Sequence, residues 1–524
     1  MARYTFMDNR DREELENFLQ EKTNTNSNII SYFNLQRTGK VYTVRFPLWE
    51  TSNTSSGEKL DDNSGLVCLP STATEHRAND YENIPLFRTY DCNAHVTDDG
   101  IRIVDAINGN TNFKDTGKVD VFVLGMSYYE KYWIEDGYWY YSRTDLPKEG
   151  YTLALECRNK DGSDQGFALY GKYVCGRVDG MLYSSKGLAP ARSSLSYNSN
   201  ITEFHKKGKK YCGGMLCDYK YIMTTFYLMN ATLNTQSVMA GCTNYNFQYC
   251  TTVAETSANR IVVTNSQATN IIVGGYVSIG DNGDSTKTPD RYSNLTHNLA
   301  DTVKVLSKSV YDEEHASIVV DATFTTTETT WISSMHWKSG FSDNVMGRFG
   351  SPCPDVQSLT NGKYPIVING IELMVGGYEI GSNAIMDVVD ENGTRDIYVM
   401  NDAEQLSSNI TTIKNTYVKL DNSIHVTNLN AWNYITGMYV DVENGTMTIT
   451  NAGETGSGSS TGFADGIYVD IGTTGQREFL LLGHLGHGSS AGLSYLHANY
   501  GLGSAWWHIL SRLSINGVGV NCAA

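Results

Sequence analysis

The sequence of 524 residues sets 57 Asp and Glu against 40 Lys and Arg, a formal net charge of −17. That balance excludes a sequence-independent nucleic-acid binder, which needs a basic footprint. Charged residues at 19% exclude a disordered chain, and no run nears the ~20 apolar residues of a membrane-spanning helix.

Gly (49) and Tyr (34) are numerous and Pro (9) is scarce, a mix that predicts β-structure joined by Gly and Asn turns. In chain order, residues 8–21 predict a short helix capped by Asp8, with Leu15, Phe18 and Leu19 on its apolar face. The N-terminus has no apolar leader, so an extracellular role is expected to come through virion release. Asn24 to Asn28 read as a polar break. Strands are predicted over Val41–Leu48, Ser64–Leu69, Ile101–Asp105 and Val119–Met126. The aromatic run over 125–156 predicts ring packing on a half-buried sheet rather than a stacking platform for ligands. A helix is predicted over 216–240, capped by Asp218, with Ile222, Met223, Phe226 and Met229 at helical spacing.

Residues 252–330 alternate strand-like runs with Gly, Asn and Asp turns and predict a β-rich insertion. Within them Asp281-Asn282-Gly283-Asp284 has calcium-ligand residue types. It lacks the twelve-residue loop and reads as a turn, so no cofactor is expected, structural calcium being the one option considered. The ten Cys form no CxxC pair and read mostly as buried thiols. In Gly370-Ile371-Glu372 and Gly376-Gly377-Tyr378-Glu379, both Glu need partners if buried. Residues 451–463 read as a flexible loop.

The last stretch, 479–520, holds four of the eleven His and no Lys, Glu, Asp or Gln. Apolar positions such as Leu493, Trp507 and Leu513, together with Arg512, read as scaffold. Between them lie His484, Gly486, His487, Ser490, Ser494, His497, Tyr500, Gly503, Trp506, His508 and Leu510. A face of His, Tyr, Trp, Ser and Gly suits recognition, since rings give contact area with few rotors to freeze. These residues are expected to form the ligand-binding face, with His484, His487, Ser490, Ser494, His497, Tyr500, Trp506 and His508 as one contiguous exposed patch. Four His side by side also have the chemistry of a zinc or copper site, but no Asp, Glu or Cys stands among them.

The order of residues in this stretch resembles the C-terminus of C-type-lectin-fold proteins of the formylglycine-generating-enzyme type. These occur in phage tail proteins, many of them diversified by retroelements. The pattern Asn234, Gln236, Met239, Gly241, Cys242 and the Gly370–Glu379 segment resemble the same family, with Leu373 and Gly377 departing from it. In that family a retroelement rewrites adenines in Asn codons. His484, Gly486, His487, Ser490, Ser494, His497, Tyr500, Gly503, His508 and Leu510 fit the resulting residue set, while Trp506 does not and reads as fixed. Formylglycine-generating enzymes carry a reactive Cys pair near the C-terminus. Here only Cys522 is present, so the resemblance extends to fold and not to oxidase activity.

The resemblance implies an α+β chain, with residues 1–145 as a β-rich tail-attachment and oligomerisation region. Residues 146–524 would be the C-type-lectin-like domain, with 252–330 inserted and 479–520 variable. It implies a receptor-binding protein of the virion tail, made in the host cytoplasm, acting outside the cell on a host surface receptor, protein or glycan. Its partners would be other tail proteins and two further copies of itself, with neither nucleic acid nor membrane insertion. The alternatives are a secreted bacterial adhesin and a tail-spike glycan depolymerase, whose paired carboxylates would come from Asp343, Glu372, Glu379 and Asp387.

Overall fold

A computed structural model describes residues 26–48, 57–289, 294–454, 462–470 and 474–519. The predicted helix over 8–21, Cys522 and most of the loop predicted over 451–463 lie outside the described residues. Strands make up 39% and helices 16%, a β-rich α+β composition.

Two sheets are built from the first 171 residues. In one, Val41–Pro47 pairs with Glu58–Asp61 and with Tyr138–Thr144, which in turn pairs with Tyr129–Glu135. The aromatic run packs as predicted: Trp133 stacks on Tyr140 at 4.7 Å and Phe46 on Trp139 at 4.8 Å. The other sheet orders Arg102–Ile107, Thr89–Val96, Val121–Met126 and Phe167–Gly171. Two expectations need correction. Ser64–Leu69 is a turn with a single bridge, Cys68 to Asn79, and not a strand. A helix, Asn26–Gln36, starts inside the predicted polar break, because Ile29, Tyr32 and Phe33 bury one of its faces.

The central helix is Leu216–Asn230, shorter than predicted because Ala231 turns left-handed at φ 49°. Every residue in it except Asn230 is buried, so it threads the core instead of covering it. Asp218 lies in the first turn and not at the cap, where its carboxylate accepts the Met215 N–H at 2.9 Å. Lys220 is buried on the same helix against Glu130 and Glu156, a pairing that compensates the buried charges.

Downstream, eight strands close into a barrel. Tyr378–Val388 pairs with Arg395–Val399 on one side and with Gly475–Leu481 on the other. The ring continues through Val418–Val426, Thr446–Glu454, Ala431–Asp441, Gly466–Val469 and Leu496–His497, back to Gly475–Leu481. Ile509–Leu510 adds to Tyr378–Val388 in parallel outside the ring. A six-stranded sheet runs from Gln248–Cys250 to Thr330–Ser334, a little beyond the 252–330 predicted as an insertion, with its own core of Ile261, Val263, Val277, Ile279, Ile318 and Ile332. Its Asp281 accepts from Thr329 at 2.6 Å and from the Gly283 N–H at 2.9 Å, the bonds of a turn. Val44, Phe46 and Tyr141 share one core with Phe226, Met386 and Leu493, so packing runs unbroken across residue 145.

Candidate functional site

The strand Gly475–Leu481 ends in two consecutive left-handed residues, Leu482 at φ 72° and Gly483 at φ 82°. A branched side chain in that region is strained, and a Cβ on Gly483 would stand 2.6 Å from that of Ala491. The turn folds the next residues back so that His484 and His487 stack at 3.7 Å. The Nδ1 of His484 accepts the Gly486 N–H at 3.0 Å, and the Nδ1 of His487 accepts the His484 N–H at 3.2 Å. Those bonds assign the neutral proton of each ring to Nε2. From His487 it points at the hydroxyls of Tyr378 (3.2 Å) and Tyr495 (3.4 Å).

Tyr378 is the hub. It opens a barrel strand and its N–H donates to the carbonyl of His508 at 2.8 Å, which brings the far end of the window alongside. Its ring lies 4.9 Å from His484, 5.3 Å from His487, 5.2 Å from His497 and 5.1 Å from His508. His497 sits on a two-residue strand between Leu480 and Tyr468, stacked on Tyr468 at 5.4 Å and tilted against Tyr500 at 4.4 Å. Burial pulls its imidazole down to about 3, so it is neutral at physiological pH. Burial also pushes two nearby carboxyls well above the carboxylate range. Asp465 accepts the Ser494 N–H and Glu478 accepts the Tyr197 N–H, each of which offsets part of the rise.

The expected single exposed face divides into two layers. Gly486, Gly503 and Trp506 are exposed, Trp506 at 47%, and His487, Ser490 and Tyr500 are half-buried. His484, Ser494, His497 and His508 are buried, a correction to the expectation of one exposed patch, and so is Leu510 of the expected ligand-binding face. Its physical reason is that alternation between faces needs extended strand, whereas the strands here run two residues each and turns join them. Imidazole is amphipathic, so rings placed by turns pack on one another and meet Tyr378 tilted or edge-on. Ser494 is buried because its hydroxyl pairs with that of Tyr227 at 2.8 Å. Leu510 packs in a core with Trp337 and Leu485.

The scaffold assignment holds for Leu493 and Arg512, both buried. Arg512 pairs with Glu379 through Nε and Nη2, each at 2.9 Å, and Tyr219 adds its hydroxyl to Glu379 at 3.0 Å. Trp507 is only half-buried. It stacks on His297, in the connection before Ala300–Val310, at 3.8 Å, with the Arg192 guanidinium 4.9 Å from its ring. That stack ties the insertion to the edge of the histidine cluster.

No protein-family model matches the chain, and no curated protein matches it. The site therefore rests on its own chemistry. Among the described residues no group of three or more His, Cys, Asp and Glu is disposed to hold a metal ion. Of the four carboxylates named for glycan cleavage, Glu372 is buried on the Gly340 and Ser342 N–H groups and Glu379 is committed to Arg512. Asp387 pairs with Lys414 at 2.6 Å, and Asp343 lines an open cavity. The arrangement offers rings, hydroxyls and neutral imidazoles for contact. Sequence reasoning missed Tyr378, Tyr495, Trp432 and Tyr468. Trp432 lies 5.2 Å from His487 and 5.2 Å from Tyr468, on strands whose partnership only the closed barrel creates.

Proposed function

We propose that this chain is a receptor-binding protein of the phage-tail kind, whose C-terminal face contacts a ligand on the host surface. One observation carries the reading. Ring contacts run without a break from Trp432 through His487, Tyr378, His497 and Tyr500 to Trp506, at centroid separations of 5.2, 5.3, 5.2, 4.4 and 6.5 Å. Trp506 is exposed and Trp432, His487 and Tyr500 are half-buried, while Tyr378 and His497 between them are buried. An aromatic rim on a rigid base has little entropy to lose on binding. It offers contact area and hydrogen bonds, which suits recognition rather than a covalent step.

The C-type-lectin-like fold belongs to the same proposal. It is supported by the buried Arg512–Glu379 pair, which joins the last segment to the Gly376–Glu379 turn, and by the long buried helix ahead of them. In this reading the N-terminal part attaches to the tail and the chain assembles as a homotrimer in the virion. The test is binding of fluorescently labelled protein to a panel of intact bacterial isolates, followed by assay of the cells for new reducing ends. Saturable binding to some isolates without product release supports the proposal. Steady release of reducing ends would replace it with glycan cleavage.

A further inference from the structure

The cavity that Asp343 lines, of about 280 Å³, opens where Thr89–Val96 and the turn after Phe167–Gly171 meet residues 342–348. It shares no lining residue with the histidine cluster. Its charged groups form one chain of pairs. Lys172 Nζ bridges Asp91 at 2.6 Å and Asp343 at 2.7 Å. Lys186 reaches Asp343 at 2.9 Å and Asp115 at 3.7 Å, and Arg348 reaches Asp91 at 2.8 Å. Lys172 and Asp91 form the floor, with side chains 7% and 11% exposed. Lys186, Arg348 and Asp115 rise towards solvent, and Phe113 supplies a half-buried aromatic wall.

The frame around these groups holds them in place. The main-chain carbonyl of Lys172 accepts from Arg512 and from the Glu372 N–H, each at 3.0 Å. Buried Glu372 in turn accepts the N–H groups of Gly340 and Ser342, which fixes the turn carrying Asp343. Gly370, at φ 91°, lies under the Arg348 guanidinium. A Cβ there would stand 2.0 Å from Nη2, so the arginine keeps its place only because residue 370 has no side chain. The Tyr173 hydroxyl donates to Asp343 at 2.8 Å and fixes the carboxylate from below.

We propose that this cavity is a saccharide-binding site, taking one uncharged pyranose ring with its hydroxyls on the paired cations and carboxylates and its apolar face towards Phe113. Three cations answer three carboxylates, so the cavity has no net sign. A phosphate would meet Asp91, Asp115 and Asp343, and a polyamine would meet Lys172, Lys186 and Arg348. A sugar hydroxyl both donates and accepts, and it can bond to a cation and to a carboxylate without breaking their pairing. The volume lies just below the ~300 Å³ at which small-molecule pockets begin, which suits a single ring.

The same pairs argue for binding over hydrolysis. Burial raises the Asp91 carboxyl, but Arg348 and Lys172 outweigh it and hold the group at about 2. Burial likewise raises Asp343, and Lys172, Lys186 and Tyr173 outweigh it there. Both stay ionised at neutral pH, and glycoside cleavage needs one carboxyl that keeps its proton for the leaving oxygen.

The experiment titrates the full chain with the methyl glycosides of glucose, galactose, mannose and N-acetylglucosamine, followed by saturation-transfer NMR. Each is taken to about 20 mM, where a millimolar site is nearly full. Inorganic phosphate and spermidine are titrated in parallel. At least one glycoside is expected to saturate. Its affinity should fall tenfold or more in Phe113→Ala and in Lys186→Gln at unchanged melting temperature, and stay the same in Trp506→Ala. Asp115→Asn, on the rim, replaces Lys186→Gln if that variant does not fold. The proposal is overturned if no glycoside saturates, if the folded cavity variants bind as the wild type does, or if phosphate or spermidine occupies the site instead. Because Trp506→Ala separates the two surfaces, failure here leaves the receptor-binding proposal standing.

Discussion

Replacing His497 by Phe should flatten the acid sensitivity of the fold. His497 is 6% exposed, ringed by Tyr378, Tyr468 and Tyr500, and its Nδ1 is a buried atom that accepts no hydrogen bond. Folding therefore moves the imidazole from an ordinary 6.5 to about 3. The folded state refuses a proton that the unfolded state takes. The group's contribution is complete above pH 6.5 and is lost as pH falls from there towards 3. Between pH 7 and pH 5 the loss amounts to about 2 kcal/mol, at about 1.4 kcal/mol for each pH unit over which only the unfolded chain holds the proton. Phe keeps the ring contacts and cannot titrate. Buried Asp465 and Glu478 act in the opposite sense, losing stability as pH rises, but they are present in both proteins and cancel in the comparison. Guanidinium unfolding at pH 7 and pH 5 measures the difference. Parallel loss of stability in wild type and His497→Phe would refute the reasoning and return His497 to the surface.

Arg512→Met should cost about 3–5 kcal/mol in the same assay, because it leaves Glu379 buried and unpaired, and adding Glu379→Leu should recover much of that loss. Trp507→Ala should cost less, about 0.5–1.5 kcal/mol, since the half-buried ring is held by one stack on His297 and by Arg192. A loss as large as that of a core Trp would show the ring to be buried. Gly492→Ala should lower the melting temperature by several degrees or prevent folding, because its Cβ would stand 2.1 Å from Asp465 Oδ1. An unchanged melting temperature would mean that the chain at 492 does not lie against Asp465.

Much of the frame is visible in the residues. The aromatic run over 125–156 packs as a sheet, the helical spacing of Ile222, Met223, Phe226 and Met229 marks the buried helix, and the need of Glu372 and Glu379 for partners is met by N–H groups and by Arg512. What could not be read locally is which side of each turn the histidines take. His484, His497 and His508 are polar by composition and buried by contact with Tyr378, a residue 106 positions before the first of them. The saccharide cleft gives no signal in spacing, because Asp91, Lys172 and Asp343 come from three distant segments that only the packed sheets bring together. The polar break at Asn24–Asn28 misled for the reverse reason: polar residues open a helix whose stability comes from Ile29, Tyr32 and Phe33.

The central claim is that the aromatic rim of the C-terminal face binds a host-surface ligand. The measurement that tests it most directly compares wild type with Tyr500→Ala/Trp506→Ala in binding to a bacterial isolate that the wild type binds saturably, with melting temperatures recorded alongside. Trp506 is exposed and Tyr500 half-buried, so the pair can be removed at a stability cost well below that of core rings. Loss of cell binding at nearly constant melting temperature is the expected result. Normal binding by the folded double variant would contradict the claim.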